Sequence, residues 1–67
     1  MEARHLVIAD RNIAEGEARV QSQLDLIERL RLRGADTRAA EVFLALLRDT
    51  LVEWNCQRDM ILAALKD

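Results

Sequence analysis

The sequence predicts an all-helical protein, an antiparallel hairpin of two helices that pairs with a second copy to form a four-helix bundle. The chain of 67 residues has no proline and only two glycines, so local preferences favour helix almost throughout. The one strong interruption, Gly-Ala-Asp-Thr at residues 34–37, lies near the middle of the chain. Apolar residues recur every three or four positions on both sides of it, as in helices with one packed face.

Helix 1 is predicted over about residues 3–33. Its packed stripe alternates steps of three and four and comprises Leu6, Ala9, Ile13, Gly16, Val20, Gln23, Ile27 and Leu30. Leu24 and Leu26 widen the stripe late in the helix. A later start stays open, because Asn12 with Glu15 three positions on has the pattern of a capping box.

The turn is predicted over residues 34–36. Gly34 suits the left-handed conformation that ends many helices, and Asp36 or Thr37 can cap the helix that follows. So short a connection makes the two helices antiparallel neighbours. The whole chain, residues 1–67, is therefore predicted to be a single helical-hairpin domain.

Helix 2 is predicted over about residues 37–66, with a packed stripe of Ala40, Phe43, Leu47, Thr50, Trp54, Gln57, Ile61 and Ala64. Leucines flank this stripe, so the apolar face is too wide for one partner helix. Covering such side chains with a second hairpin stabilises by about 1.5 to 3 kcal/mol each. The predicted oligomer interface comprises Leu24, Phe43, Leu44, Leu47, Leu51, Trp54, Ile61 and Leu65.

A two-fold dimer is the favoured assembly, because small domains rarely bury enough apolar surface alone. A third element from a different protein is the alternative. The relative orientation of the two hairpins, and the choice between dimer and tetramer, stay open.

Several single residues carry more specific predictions. A turn centred near Ala35 sets Gly16 opposite Trp54, and we hypothesise that the glycine admits the indole ring. The alternative is that Gly16 marks a kink. The polar seam residues Gln23, Thr50 and Gln57 either fix the register of the helices or occupy partly hydrated positions.

Charged residues on the helices predict ordinary surface ion pairs. Glu15 with Arg19, and Asp25 with Arg29, stand four positions apart, which is worth about 0.2 to 0.5 kcal/mol for each pair.

Four arginines, Arg29, Arg31, Arg33 and Arg38, surround the predicted hairpin tip. Their simplest role is to complement the negative end of helix 1. The alternative is contact with an anionic ligand, and hence a small nucleic-acid-binding regulator, although the net charge of −2 gives the chain as a whole no attraction to nucleic acid.

The chemistry of an enzyme is missing from the sequence. One histidine and one cysteine cannot form a structural zinc site or a disulfide within the chain. His5 is interpreted as a solvated side chain, and Cys56 as a small, partly buried one. There is no convergent nucleophile and base and no phosphate-binding loop, so we expect neither enzymatic activity nor a cofactor.

The first apolar run, residues 6–9, is too short for a signal peptide or a membrane span. A cytoplasmic protein that does not enter membranes is therefore expected.

Two segments support a resemblance: Ala-Glu-Gly-Glu at residues 14–17, and the turn Gly-Ala-Asp-Thr at residues 34–37. With the leucines around them, they resemble short helical-hairpin proteins of alpha-proteobacteria, rhizobial relatives included. The likeness covers nearly the whole chain; it implies a stand-alone helical hairpin and supplies no catalytic residues. The predicted function is a self-associating protein-protein interaction or structural module whose partner the sequence does not identify.

Overall fold

A computed structural model describes residues 3–66 of the protein, with side chains for residues 4–66. It has two helices, α1 (Ala3–Leu32) and α2 (Arg38–Lys66), which pack against each other as an antiparallel hairpin. The prediction of an all-α hairpin is confirmed, and both helices end within one residue of the predicted bounds. Because α1 is continuous from Ala3, the alternative start at Asn12 is wrong.

The connection between the helices is closed by backbone hydrogen bonds. Gly34 has a positive φ of 69°, and its amide donates to the carbonyl of Arg31 at 2.9 Å. The amide of Ala35 donates to the carbonyl of Leu30, also at 2.9 Å, so these bonds satisfy two carbonyls in the last turn of α1. Asp36 Oδ1 accepts from the amide of Arg38 at 2.9 Å, which satisfies a free amide at the start of α2.

The seam, meaning the line along which the helices meet, matches the predicted stripe on α1. All eight predicted positions are buried or half-buried. Ile13 and Ile27 are the most deeply covered of these large side chains, at 8% and 4% exposure. The helical period read from the sequence therefore places the packed face of α1 correctly.

On α2 the seam is rotated from the predicted stripe. Leu44 is buried and Leu51 half-buried, whereas the predicted seam residues Phe43, Gln57 and Ala64 are exposed. The rotation turns the flanking Leu44 and Leu51 toward α1 and leaves Phe43, Gln57 and Ala64 outside the seam. The observed seam of α2 comprises Ala40, Leu44, Leu47, Leu51, Trp54, Arg58 and Ile61.

The hairpin is long and thin, with principal extents of 53 × 15 × 11 Å. Its radius of gyration is 15.6 Å, against about 11 Å for a globular domain of this length. Among the described residues, the buried hydrophobic side chains are Ile13, Ile27 and Leu44. Two helices side by side form one layer, whereas stable domains are built from at least two.

Candidate interaction surface

Gly16 fixes how closely the two helices approach. A Cβ atom at this position would lie 2.7 Å from Leu51 Cδ2 and 3.0 Å from Trp54 Cζ3. The prediction that Gly16 faces Trp54 is confirmed, and Leu51 is a second side chain in the same space. The helix continues through Gly16 without interruption, so the glycine marks a close packing contact and not a break in α1.

Of the three polar residues predicted in the seam, one connects the helices. Gln23 Nε2 donates to the backbone carbonyl of Ala40 at 2.9 Å, and this bond is partly buried. Thr50 Oγ1 instead donates to the carbonyl of Leu46 in its own helix, at 3.0 Å. Gln57 is exposed. Gln23 is therefore the residue of this set whose hydrogen bond depends on the register of the hairpin.

Two ion pairs between described residues, Asp10–Arg58 and Arg31–Glu41, also connect the helices. Arg58 donates to the carboxylate of Asp10, and that hydrogen bond raises the pKa of Arg58 above its ordinary value. Arg31 pairs with Glu41 at 2.6 Å near the tip. Neither pair was predicted from the sequence, because they join residues distant in the chain.

The predicted pairs within α1 do not form. Glu15 and Arg19 make no ion pair with any described residue. Asp25 accepts a hydrogen bond from Gln21 at 3.3 Å and does not pair with Arg29. An exposed pair of this kind gains only a few tenths of a kcal/mol, which is too little to hold two flexible side chains together.

Four of the exposed large apolar side chains, Ile8, Leu26, Phe43 and Leu46, share one broad side of the hairpin, whereas others such as Val7, Leu32 and Val52 point elsewhere. Ile8 and Leu26 are about five full turns apart on α1, so they point the same way. An open depression brings Ile8 together with Gln57 of α2, and its other lining residues are His5, Ala9, Asn12 and Ile61. The same side of α2 continues from Gln57 toward the hairpin tip. It carries residues at helical spacing, namely Thr50, Leu46 and Phe43.

We call this side the open face. Its residues are Ile8, Glu15, Arg19 and Leu26 of α1, and Phe43, Leu46, Thr50 and Gln57 of α2; Glu15 and Arg19 each lie about 20° around α1 from Ile8. Met60 lies at its edge and is 71% exposed. Phe43 and Leu46, at 52% and 57% exposure, are its largest uncovered side chains on α2.

Most of the residues predicted as an oligomer interface lie in the seam of the hairpin itself. Leu44 is buried there, and five others are half-buried: Leu24, Leu47, Leu51, Trp54 and Ile61. Phe43 and Leu65 are exposed, and Phe43 lies on the open face. The prediction omitted Ile8 and Leu26. The seven-residue spacing from Phe43 through Thr50 and Gln57 is the sequence signal that indicates this second line of side chains.

The arginines near the tip differ in their surroundings. Arg38 pairs with Asp36 at 2.7 Å, and its hydrogen bonds hold the pKa of that carboxyl below the ordinary 3.8. Arg31 is paired with Glu41 as described above. Arg29 and Arg33 are exposed and form no ion pair with any described residue. Two of the four predicted anion contacts are therefore neutralised by the protein's own carboxylates.

The single histidine and the single cysteine of the chain lie on different helices. His5 is exposed near the start of α1. Cys56 is exposed as well, so the prediction of partial burial is wrong; its position on α2 points away from α1. Within residues 3–66, no cluster of histidine, cysteine and acidic side chains is suited to hold a metal ion.

No helix in the described part of the chain has the length and apolarity needed to cross a membrane. Comparisons of the sequence and the structure with known proteins found no matching family, no similar curated protein and no similar solved structure. The arrangement of side chains on the surface is therefore what bears on function.

Proposed function

We propose that the protein is a self-associating helical module, in which two hairpins form a four-helix bundle that serves as a protein-protein interaction or structural unit. The supporting observation is the area that the single chain leaves uncovered. Its accessible surface is 5197 Å² for a mass of 7.7 kDa. A folded monomer of that mass exposes about 4300 Å².

The excess of roughly 900 Å² is close to the area that each partner contributes to a standard protein interface, about 800 Å². A second hairpin on the open face would cover Phe43, Leu46, Ile8 and Leu26 at once. It would also supply the second layer that the hairpin lacks. One copy of the chain therefore has both the uncovered surface area and the exposed apolar side chains that a dimer interface requires.

The measurement that tests this proposal is the solution mass of the purified protein by light scattering over a dilution series. We expect about twice the chain mass at micromolar concentration, with dissociation only on strong dilution. A folded monomer at every concentration would contradict self-association. In that case the open face would remain as a docking surface for a different protein.

The alternative function, a nucleic-acid-binding regulator, has less support. It would rest on Arg29 and Arg33, because Arg31 and Arg38 are paired with carboxylates of the same chain. Binding through these arginines would weaken steeply with salt. A titration with short RNA and DNA duplexes at low and high salt tests it, and we expect no salt-dependent binding.

We propose a non-enzymatic role for the protein, and its cytoplasmic location stays a prediction.

A further inference from the structure

The charged residues on the open face favour one relative orientation of the two hairpins in the proposed dimer. We propose that the two copies pack open face to open face with their tips at opposite ends, so that Glu15 of each copy contacts Arg19 of the other. This inference rests on the proposed self-association and adds the interface, the orientation and the register. Its starting point is that Glu15 and Arg19 have no ion-pair partner among the described residues of their own chain.

The register of the two helices within one hairpin determines which residues of α1 and α2 lie at the same level along the helix axes. Gly16 lies against Leu51 and Trp54, and Asp10 pairs with Arg58. Both contacts place Glu17, in the middle of α1, at the level of Leu51 and the next residue of α2. A two-fold axis perpendicular to the helices at this level crosses both of them near their centres.

Such an axis stacks α1 antiparallel on α1 of the second copy. Ile8 then lies opposite Leu26, and Glu15 lies opposite Arg19, since both pairs are symmetric about Glu17. Each apolar residue meets an apolar residue, and each charge meets its opposite. By symmetry every contact occurs twice, so the dimer contains two Glu15–Arg19 pairs.

The same axis stacks α2 antiparallel on α2. Phe43 then lies opposite Met60, and Leu46 lies opposite Gln57, because both pairs are symmetric about the same point just after Leu51. A methionine sulfur against an aromatic ring is a favourable contact. One axis therefore brings open-face residues of both helices to matching levels, with apolar partners for Ile8, Leu26 and Phe43 and an amide opposite Leu46.

The other two-fold arrangement, with both tips at the same end, brings like charges together. It stacks α1 on α2 at equal levels, and so sets Glu15 opposite Glu53. It also gathers Arg29 and Arg33 of both copies at one end of the bundle. Like charges juxtaposed at an interface are unfavourable, so the charge pattern favours the arrangement with opposite tips.

The first test uses reversed charges in two separate variants, Arg19→Glu and Glu15→Arg. Each variant alone should dissociate at roughly tenfold higher concentration than the unchanged protein, because two attractive pairs become repulsive. An equimolar mixture should form heterodimers with near-normal affinity, since acidic chains then meet basic ones. Charges within each chain are the same in the homodimers and the heterodimer, so the mixture isolates the contact between copies. Two unaffected homodimers that do not exchange would overturn the Glu15–Arg19 contact.

The second test is disulfide cross-linking in a Cys56→Ser background. The exposed pair Ile8→Cys with Leu26→Cys should form a covalent dimer on mild oxidation, whereas Ile8→Cys with Met60→Cys should remain uncross-linked between chains. The reverse result would overturn the orientation and leave self-association intact. A dimer by light scattering with neither cross-link would overturn the open face as the interface. A monomer by light scattering would overturn both this inference and the proposed function.

Discussion

The indole ring of Trp54 packs directly on the backbone of Gly16, with Cζ3 only 3.0 Å from where a Cβ atom would be. Two effects oppose each other at this position. A glycine inside a helix costs about 1 kcal/mol relative to alanine. A methyl group, however, would meet both this ring and Leu51, and the rigid ring has little freedom to move away. Overpacking of this kind costs about 1 to 3 kcal/mol, so the packing effect is the larger.

Gly16→Ala is therefore expected to lower the free energy of unfolding by about 1 kcal/mol. Ala14→Gly is the matched control, because Ala14 is exposed in the same helix and its replacement measures helix propensity alone. Urea unfolding of both variants at one protein concentration gives the comparison. If Gly16→Ala gained as much stability as Ala14→Gly lost, the close contact with Trp54 would have no energetic weight.

The hydrogen bond from Gln23 to the Ala40 carbonyl makes a second stability prediction. Gln23→Ala removes a partly buried bond between the helices and should cost about 0.5 to 1.5 kcal/mol. The control is Gln21→Ala, since Gln21 makes only a longer, exposed bond within α1, to Asp25 at 3.3 Å. We expect the control to change stability by less than about 0.5 kcal/mol. Equal losses in the two variants, measured by thermal unfolding, would remove Gln23 from the determinants of register.

Much of the hairpin follows from the sequence because its determinants are local. The left-handed Gly34, the helix-favouring composition and the spacing of Leu6 through Leu30 are all readable without knowledge of the fold. The rotation of α2 is not local. Its stripe is apolar over a wide arc, so period alone does not decide between Phe43 and Leu44 for the buried position, and only packing against α1 selects Leu44.

The open face was harder to predict than the seam for a related reason. Its residues come from both helices and become neighbours only through the register that Gly16 and Gln23 set. Ile8 and Leu26 look like isolated apolar residues in the sequence. They gain significance once Phe43 and Leu46 lie beside them on the same side of the hairpin.

Asp36 predicts a pH dependence of stability. Its carboxylate accepts hydrogen bonds from the side chain and the backbone amide of Arg38, and these bonds hold its pKa below the ordinary 3.8. A carboxyl whose pKa is depressed in the folded state stabilises the protein above its unfolded-state pKa. That stability is lost as the pH falls through the folded-state pKa.

The expected result is a loss of stability below about pH 4 that is smaller in Asp36→Asn, because asparagine keeps an acceptor for the amide but does not titrate. Melting temperatures of both proteins between pH 3 and pH 7 provide the measurement. Asp49→Asn is a control for a carboxylate without an ion pair in the described residues. Identical pH profiles for the unchanged protein and Asp36→Asn would show that the cap does not contribute through its charge.

Phe43 provides the most direct test of the open face. Phe43→Glu places a charge where the proposed second copy would cover it, and burying an unpaired charge is strongly unfavourable. We expect the concentration for dimer dissociation to rise by at least about tenfold, since a loss of 1.4 kcal/mol already has that effect. The hairpin itself should stay helical, because Phe43 is outside the seam.

Val52→Glu is the matched control for Phe43→Glu. Val52 is exposed on the same helix, but it stands about 200° around the helix from Thr50 and so faces away from the open face. Sedimentation equilibrium should give the unchanged dimer for Val52→Glu and a shift toward monomer for Phe43→Glu. Loss of the dimer in both variants would indicate that the hairpin tolerates no added charge on α2. A dimer in both would show that the two copies meet on a surface other than the open face, because a buried glutamate at position 43 would not leave the affinity unchanged.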